Sequence, residues 1–270
     1  FELMENKALA ASRELKAIDE LAVLKSPMHN LNPLTKILLT IFYIVVVVSF
    51  HKYDMLGLFV LILFPILGYS VSTISISTCF KKLKIVLPLV LLVGLFNPFF
   101  DKVVLFHIGT VGVTGGTVSM VTLMMKGVFS LMASFLLIAT TPIEEICGGL
   151  RLIRLPKILV TLVLLTYRYI SIMLDEVGIM INSYSLRAPN QKGIHYSAWG
   201  SFIGQLILRS MDKANMLYES MLLRGFNGEF DYRITKKKSP YSWLIMLVCM
   251  CLITICRFIN VPVFLGSLFT

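Results

Sequence analysis

The chain has 270 residues, of which 57% are hydrophobic and only 15% charged, and its mean hydropathy is +0.82. Soluble domains carry about 25% charged and about 45–50% apolar residues, so this composition excludes a disordered chain and points away from a soluble enzyme toward a polytopic helical membrane protein. Lys and Arg number 25 against 15 Asp and Glu, a formal charge of +10; in so apolar a chain that excess belongs to loops on the cytoplasmic side of a membrane rather than to a nucleic-acid surface.

Residues 1–33 form a polar arm carrying Lys7, Arg13, Lys16 and Lys25, with no signal-peptide pattern. Asn32-Pro33 closes it, because the residue before a proline is pushed out of the helical region. Five apolar runs are expected to span: Leu34 to Phe50, Met55 to about Ser70, Ile85 to Phe100, about Val118 to Thr140, and Trp243 to Ile259. Each is near the ~17–25 residues that cross a bilayer, and inside lipid each must be helical, since every backbone group needs an internal partner.

Between Thr141 and Pro240 charges return and recur in helical stripes. Pro142 can open a helix whose face is Ile143, Ile146, Cys147 and Leu150; Arg151 and Arg154 follow, and Pro156 interrupts. A second helix is predicted from Lys157 to about Arg187, apolar all round from Ile158 to Leu165 and then amphipathic along Tyr169, Ile172, Met173, Val177, Met180, Ile181 and Tyr184. Pro189 and Gly193 break it. A third runs from about Ala198 to Arg224, with Trp199, Phe202, Leu206, Leu217 and Met221 among its apolar stripe and Arg209, Asp212, Lys213, Asn215 and Glu219 mostly away from it. Gly225 stops it, since glycine takes the left-handed conformation without a Cβ penalty. Gly200-x-x-x-Gly204 is the spacing that lets helices approach closely.

The expected fold is therefore an all-α integral membrane protein with about five transmembrane helices and long cytoplasmic amphipathic helices inserted before the last span. The expected organisation is an N-terminal cytoplasmic or interfacial arm (1–33), a four-span region (34–140), a cytoplasmic helical region (141–240), and the last span with the C-terminus (241–270). With the N-terminus inside, five spans place 71–84, with Lys81, Lys82 and Lys84, and 141–240 on the same side. They place Lys52, Lys102 and Arg257 outside, which satisfies the positive-inside rule.

Much familiar chemistry is missing. There is no GxxxxGK[ST] loop and no HExxH. His29, His51, His107 and His195 are scattered over both predicted sides, and metal sites need converging ligands. Glu144-Glu145 is a favourable charge at a helix start. Of five cysteines, Cys249, Cys251 and Cys256 share one apolar segment as small hydrophobes do, and no disulfide framework is expected. The spans hold almost no ionisable groups besides Lys36 and Lys126, whereas an ion-coupled pump usually shows intramembrane carboxylates. No catalytic residue, metal ligand or nucleic-acid partner is assigned.

What the cytoplasmic region does offer is two helices that end in arginine before a breaker: Ser185-Leu186-Arg187-Ala188-Pro189 and Leu222-Leu223-Arg224-Gly225-Phe226. One reading is structural: a cation offsets the negative end of a helix dipole for ~0.3–1 kcal/mol. The other is docking, since an exposed guanidinium makes bidentate bonds to a partner carboxylate. Met173, Met180, Met211, Met216 and Met221 nearby supply adaptable apolar surface, for core packing or for a partner.

Here the chain resembles a known family. Ile18-Asp19-Glu20-Leu21-Ala22, Ser26-Pro27-Met28-His29 and Asn32-Pro33-Leu34-Thr35-Lys36, then Leu155-Pro156, Tyr167-Arg168-Tyr169 and above all Ser220-Met221-Leu222-Leu223-Arg224-Gly225-Phe226, are similar to the pattern of CbiQ, the cobalt-transport form of the transmembrane (T) component of energy-coupling factor (ECF) transporters. The resemblance implies a subunit of a multi-pass bacterial inner (plasma) membrane importer, without enzymatic activity of its own. It implies cytoplasmic ABC ATPases (CbiO-like) and a substrate-binding membrane subunit (CbiM-like, with or without a small CbiN-like subunit) as partners. It also implies that ATP and Co²⁺ are held by those partners, leaving this chain without a cofactor. Carried over, Arg187 and Arg224 are the ATPase-docking arginines of two coupling helices, flanked by Leu186, Ala188, Leu223 and Gly225. Leu223 stands where the family pattern has alanine, and Leu186-Arg187-Ala188 lacks the glycine. Within the family, a nickel or vitamin transporter is the alternative; outside it, an integral membrane transferase, which would need a polar catalytic cluster at the membrane face.

Overall fold

A computed structural model describes residues 2–24, 26–100, 104–108, 111–188, 193–226, 228 and 241–258. In chain order the elements are α1 (Glu2–Ala22), α2 (Pro33–Ser49), α3 (Met55–Val60), α4 (Leu63–Ser72), α5 (Ile76–Leu95), α6 (Asn97–Phe100), β1 (Val104–Ile108), β2 (Val111–Thr114), α7 (Gly115–Thr140), α8 (Ile143–Leu152), α9 (Lys157–Arg187), a 3₁₀ turn (Tyr196–Ala198), α10 (Trp199–Leu223) and α11 (Ser242–Phe258). The protein is an all-α membrane fold with one short antiparallel hairpin, in which Ile108 pairs with Val111 and Val104 with Thr114. The chain divides into two units, one of residues 21–142 and 236–270, the other of 1–20 and 143–235.

The first unit is built on α7, which packs against α2, α3, α4, α5 and α6. Asn32 opens α2: its side chain accepts from the Leu34 amide at 3.2 Å, and Pro33 takes the first helical position, where no amide donor is needed. The core beneath it gathers Tyr43, Val47, Phe50, Leu58, Leu61, Phe129, Ala133 and Ile253. A second cluster forms around Tyr69, Cys79, Leu83, Met132 and Leu136. Gly68 makes that approach possible, because a Cβ there would stand 2.3 Å from Leu136 Cδ2. Outward, the same helices leave large apolar side chains bare, among them Val45 on α2, Leu67 on α4, Leu92 on α5 and Leu247 on α11. A water-soluble fold does not leave whole helix faces like these uncovered, and lipid covers them at no cost. By length and composition α7 and α9 are long and apolar enough to cross a membrane, and α2, 57–72, 86–95 and 242–257 are shorter apolar helices.

Three cations of this unit, Lys36, Lys126 and Arg257, sit on backbone oxygens. Lys36 is 4% exposed and donates from Nζ to Thr140 O at 2.9 Å and Thr141 Oγ1 at 3.3 Å, which places its charge at the C-terminal end of α7. Lys126 donates to Val48 O at 3.1 Å and to Phe50 O, and Arg257 Nη2 donates to Ser49 O at 3.0 Å. Together they cover the carbonyls that α2 leaves open at its end, the arrangement intramembrane cations commonly find. His29 is satisfied locally, by Ser26 Oγ of its own turn at 2.7 Å and by Leu21 O near the end of α1 at 3.1 Å.

The structure corrects several sequence expectations. The polar arm holds a helix, α1, since residues 2–22 contain neither Gly nor Pro. The second apolar run is two helices broken at Leu61-Ile62, and the Leu61 carbonyl accepts the Tyr43 hydroxyl at 3.0 Å. The third begins at Ile76 rather than Ile85 and takes in the lysines at 81, 82 and 84. Lysine is a good helix former whose stem lies along apolar surface while its head stays wet, so the charges lower the hydropathy without ending the helix. The hairpin at 104–114 was not foreseen.

Candidate functional site

The second unit carries the two arginines. α8 starts with Glu144 and Glu145 in its first turn and Arg151 in its last; Arg154, at φ 66°, then turns the chain toward Pro156, which opens α9. α1 is tied to α9 by the Tyr167 hydroxyl, which donates to Asp19 Oδ1 at 2.6 Å. Cys147 is fully buried in α8; burial, and after it the charge of Glu144, pushes the thiol pKa up, so it is not a ready nucleophile.

Arg187 is the last residue of α9. The Ala188 amide still donates to Tyr184 O at 3.0 Å, so the helix holds its hydrogen bonding through the arginine. Arg224 is the C-cap of α10. There the Phe226 amide reaches back to Met221 O at 2.9 Å and the Gly225 amide to Leu222 O at 2.9 Å, with Gly225 at φ 80°. This is the Schellman closure, and it requires a left-handed residue after the cap. Both arginines are exposed, and among the described residues neither guanidinium has a hydrogen-bond or ion-pair partner. Beside them Leu186 is 83% and Leu223 90% exposed, while Ala188 is half-buried and Gly225 exposed. Two leucines held that far out in water next to two arginines are costly unless something covers them.

α9 and α10 pack antiparallel. Leu165, Tyr169 and Met173 of α9 face Ala214, Leu217 and Met221 of α10 across a groove of about 400 Å³. Further toward the end of α9, Glu176 receives both Arg209 and Lys213. At ~1.5 Å per residue, Arg187 stands roughly 17 Å past Glu176, and Arg224 roughly 20 Å past the two cations in the opposite direction. The tips therefore lie at opposite ends of the helix pair.

The sequence stripe placed Arg209 and Lys213 mostly away from the packing face; the structure turns both onto Glu176. Their i, i+4 spacing is the signal that could have found them, because it puts two cations on one face one turn apart. Gly200 and Gly204 meet nothing within 4 Å, so that spacing brings no helix close among the described residues. Of the methionines, Met180 is buried, Met173 and Met221 line the groove, and Met211 and Met216 are exposed.

Comparison with known proteins gives the family of the chain. The family model described as CbiQ, cobalt transport protein, matches residues 24–235, most of the chain. The chain belongs to the CbiQ family. Its relatives include the energy-coupling factor transporter transmembrane protein EcfT of Lactococcus lactis subsp. cremoris, 26% identical over 241 residues, 83% of this chain and 90% of the relative. They also include the cobalt transport protein CbiQ of Rhodobacter capsulatus, 29% identical over 113 residues, 41% of this chain and 45% of the relative. A third, the nickel permease LarQ of Lactiplantibacillus plantarum, is 28% identical over 91 residues, 34% of this chain and 33% of the relative. This CbiQ-family chain is thus the membrane component of an ECF-type transporter, a transport subunit and not an enzyme, which sets aside the transferase reading. Components of this kind work with ATPase and substrate-binding components.

Proposed function

We propose that this chain is the coupling subunit of an ECF-type importer of cobalt ions, and that Arg187 and Arg224, with Leu186, Ala188, Leu223 and Gly225 around them, are where cytoplasmic ABC ATPases of the CbiO type dock. The observation that carries the reading is the pair of exposed arginine-leucine tips at opposite ends of one helix pair. Each tip combines a cation with an uncovered apolar side chain, the composition of an interface centre. Their separation, roughly 35 Å along the helix direction, suits two ATPase subunits rather than one.

In this reading 1–33 and 141–240 face the cytoplasm, and ATP stays on the ATPases. The metal substrate is bound by a CbiM-like membrane subunit, with or without a CbiN-like one. The mechanism is a lever. Nucleotide-driven approach and separation of the ATPases move the two tips, and the helices carry that displacement to the membrane subunit, provided they have discrete arrangements which the nucleotide state biases. Nickel is the second reading, favoured by the likeness to a protein named a nickel permease.

The test is the double variant Arg187→Ala/Arg224→Ala in the intact complex. Recovery of ATPase with the tagged membrane subunits should drop at least tenfold, the scale of losing two charge-assisted contacts, and Co²⁺ uptake should fall to background. Wild-type uptake by the double variant would sink the proposal; Ni²⁺ uptake in preference to Co²⁺ by the unaltered complex would select the second reading.

A further inference from the structure

α10 is an unusual helix: 25 residues long, it has no buried residue among them. Its inward row, Phe202, Leu206, Leu217 and Met221 among it, is only half-buried, and Ile203, Ile207 and Met211 are open. Apolar packing alone therefore holds α10 to α9 weakly. Against that thin contact stands one concentrated attraction. The Glu176 carboxyl is 9% exposed and each of its oxygens takes a cation, Oε1 from Arg209 and Oε2 from Lys213. The two cations come from successive turns of α10, and the carboxylate sits near the middle of both arms, roughly 17–20 Å from either arginine tip.

We infer that Glu176, Arg209 and Lys213 form the fulcrum of the helix pair: a set of positioning residues that fixes where α9 and α10 cross while leaving the angle between them free to change. The physics differs from that of packed side chains. Interlocked ridges and grooves select particular crossing angles. A carboxylate held by two long, flexible cationic side chains keeps its bonds through a change of angle, yet a slide of α10 by one turn removes one cation from its oxygen. A contact that resists sliding and permits rotation is what a lever needs, and a shallow apolar interface does not oppose the rotation. This inference deepens the coupling reading and rests on it for its consequence in transport.

The first measurement needs no partner. Spin labels at Leu186→Cys and Leu223→Cys, in the full chain with its five native cysteines changed to alanine, report the tip-to-tip distance by pulsed EPR. The unaltered fulcrum should give one distribution reaching at most roughly 35 Å, its spread set by the change of angle alone and not by sliding. Glu176→Gln should broaden it. The swapped set, Glu176→Lys with Arg209→Glu and Lys213→Glu, should narrow it again. Should Glu176→Gln not be recovered from the membrane, the pair Arg209→Gln/Lys213→Gln, whose side chains are partly exposed, is read the same way.

The second measurement uses the complex with its ATPase and substrate-binding components. Glu176→Gln should lower uptake per ATP hydrolysed by about tenfold with ATPase still bound, and the swapped set should restore it. An unchanged distance distribution overturns the inference. So does a loss of uptake per ATP that the swapped set, with the unaltered distribution regained, does not restore. If the unaltered chain recovers no ATPase at all, it is the coupling reading that fails, and the distance measurement still decides the fulcrum.

Discussion

Gly225→Ala isolates the geometry of one arginine tip. Gly225 sits at φ 80°, and a Cβ built on it meets nothing within 4 Å, so the substitution adds no clash with neighbours and tests the backbone conformation alone. An L-residue in the left-handed region costs about 1–2 kcal/mol. That cost falls on the closure in which the Gly225 and Phe226 amides donate to Leu222 O and Met221 O, both at 2.9 Å. The open population of the tip should rise roughly 5- to 30-fold. Hydrogen exchange of these two amides, measured in detergent, should accelerate by that factor, with the middle of α10 unchanged. Gly225→Asn should fall between, because asparagine tolerates the left-handed region better than alanine. In the complex, Gly225→Ala should lower ATPase recovery while keeping Arg224. Equal exchange rates in Gly225→Ala and the unaltered chain would refute the reasoning, since they would mean that the closure does not hold the tip.

Two further expectations concern the membrane unit. Asn32→Ala removes the cap on the Leu34 amide and should cost about 1 kcal/mol, read as a lower midpoint in thermal unfolding of the detergent-solubilised chain; an unchanged midpoint counts against the cap. Gly68→Val forces a branched side chain into the space of Leu136, where even a Cβ stands 2.3 Å from Cδ2. It should cost about 1–3 kcal/mol, with rescue by the smaller partner in Gly68→Val/Leu136→Ala, and a second substitution that only adds to the loss would show that the two residues do not share one space.

The arginine tips were legible because they are local. A helix end is written in a few neighbouring residues, so Gly225 after Arg224 and Pro189 after Arg187 announce the two ends, and the structure ends α9 at Arg187 and α10 at Leu223. The fulcrum was not legible, because Glu176 lies 33 residues from Arg209 in the chain and hydropathy treats a charge as solvated wherever it stands. The same holds for Lys36, which reads as an isolated charge at the start of the first span and is in fact buried on the Thr140 carbonyl, 104 residues away.

By itself the sequence determined the class of the molecule. The apolar share, the run lengths and the placement of Lys and Arg leave a helical membrane protein with charged helices before its last apolar segment, because lipid admits few other solutions for an unpaired backbone. It also located the helix ends that carry the arginines, since capping is a matter of nearest neighbours. Only the tertiary structure decided how the pieces engage. Periodicity marks a face as apolar but cannot say what covers it. So the break at Leu61-Ile62, the cations seated on helix ends and the meeting of Glu176 with Arg209 and Lys213 each depended on partners distant in the chain, chosen by packing and by the need of every buried charge for an opposing charge or an oxygen.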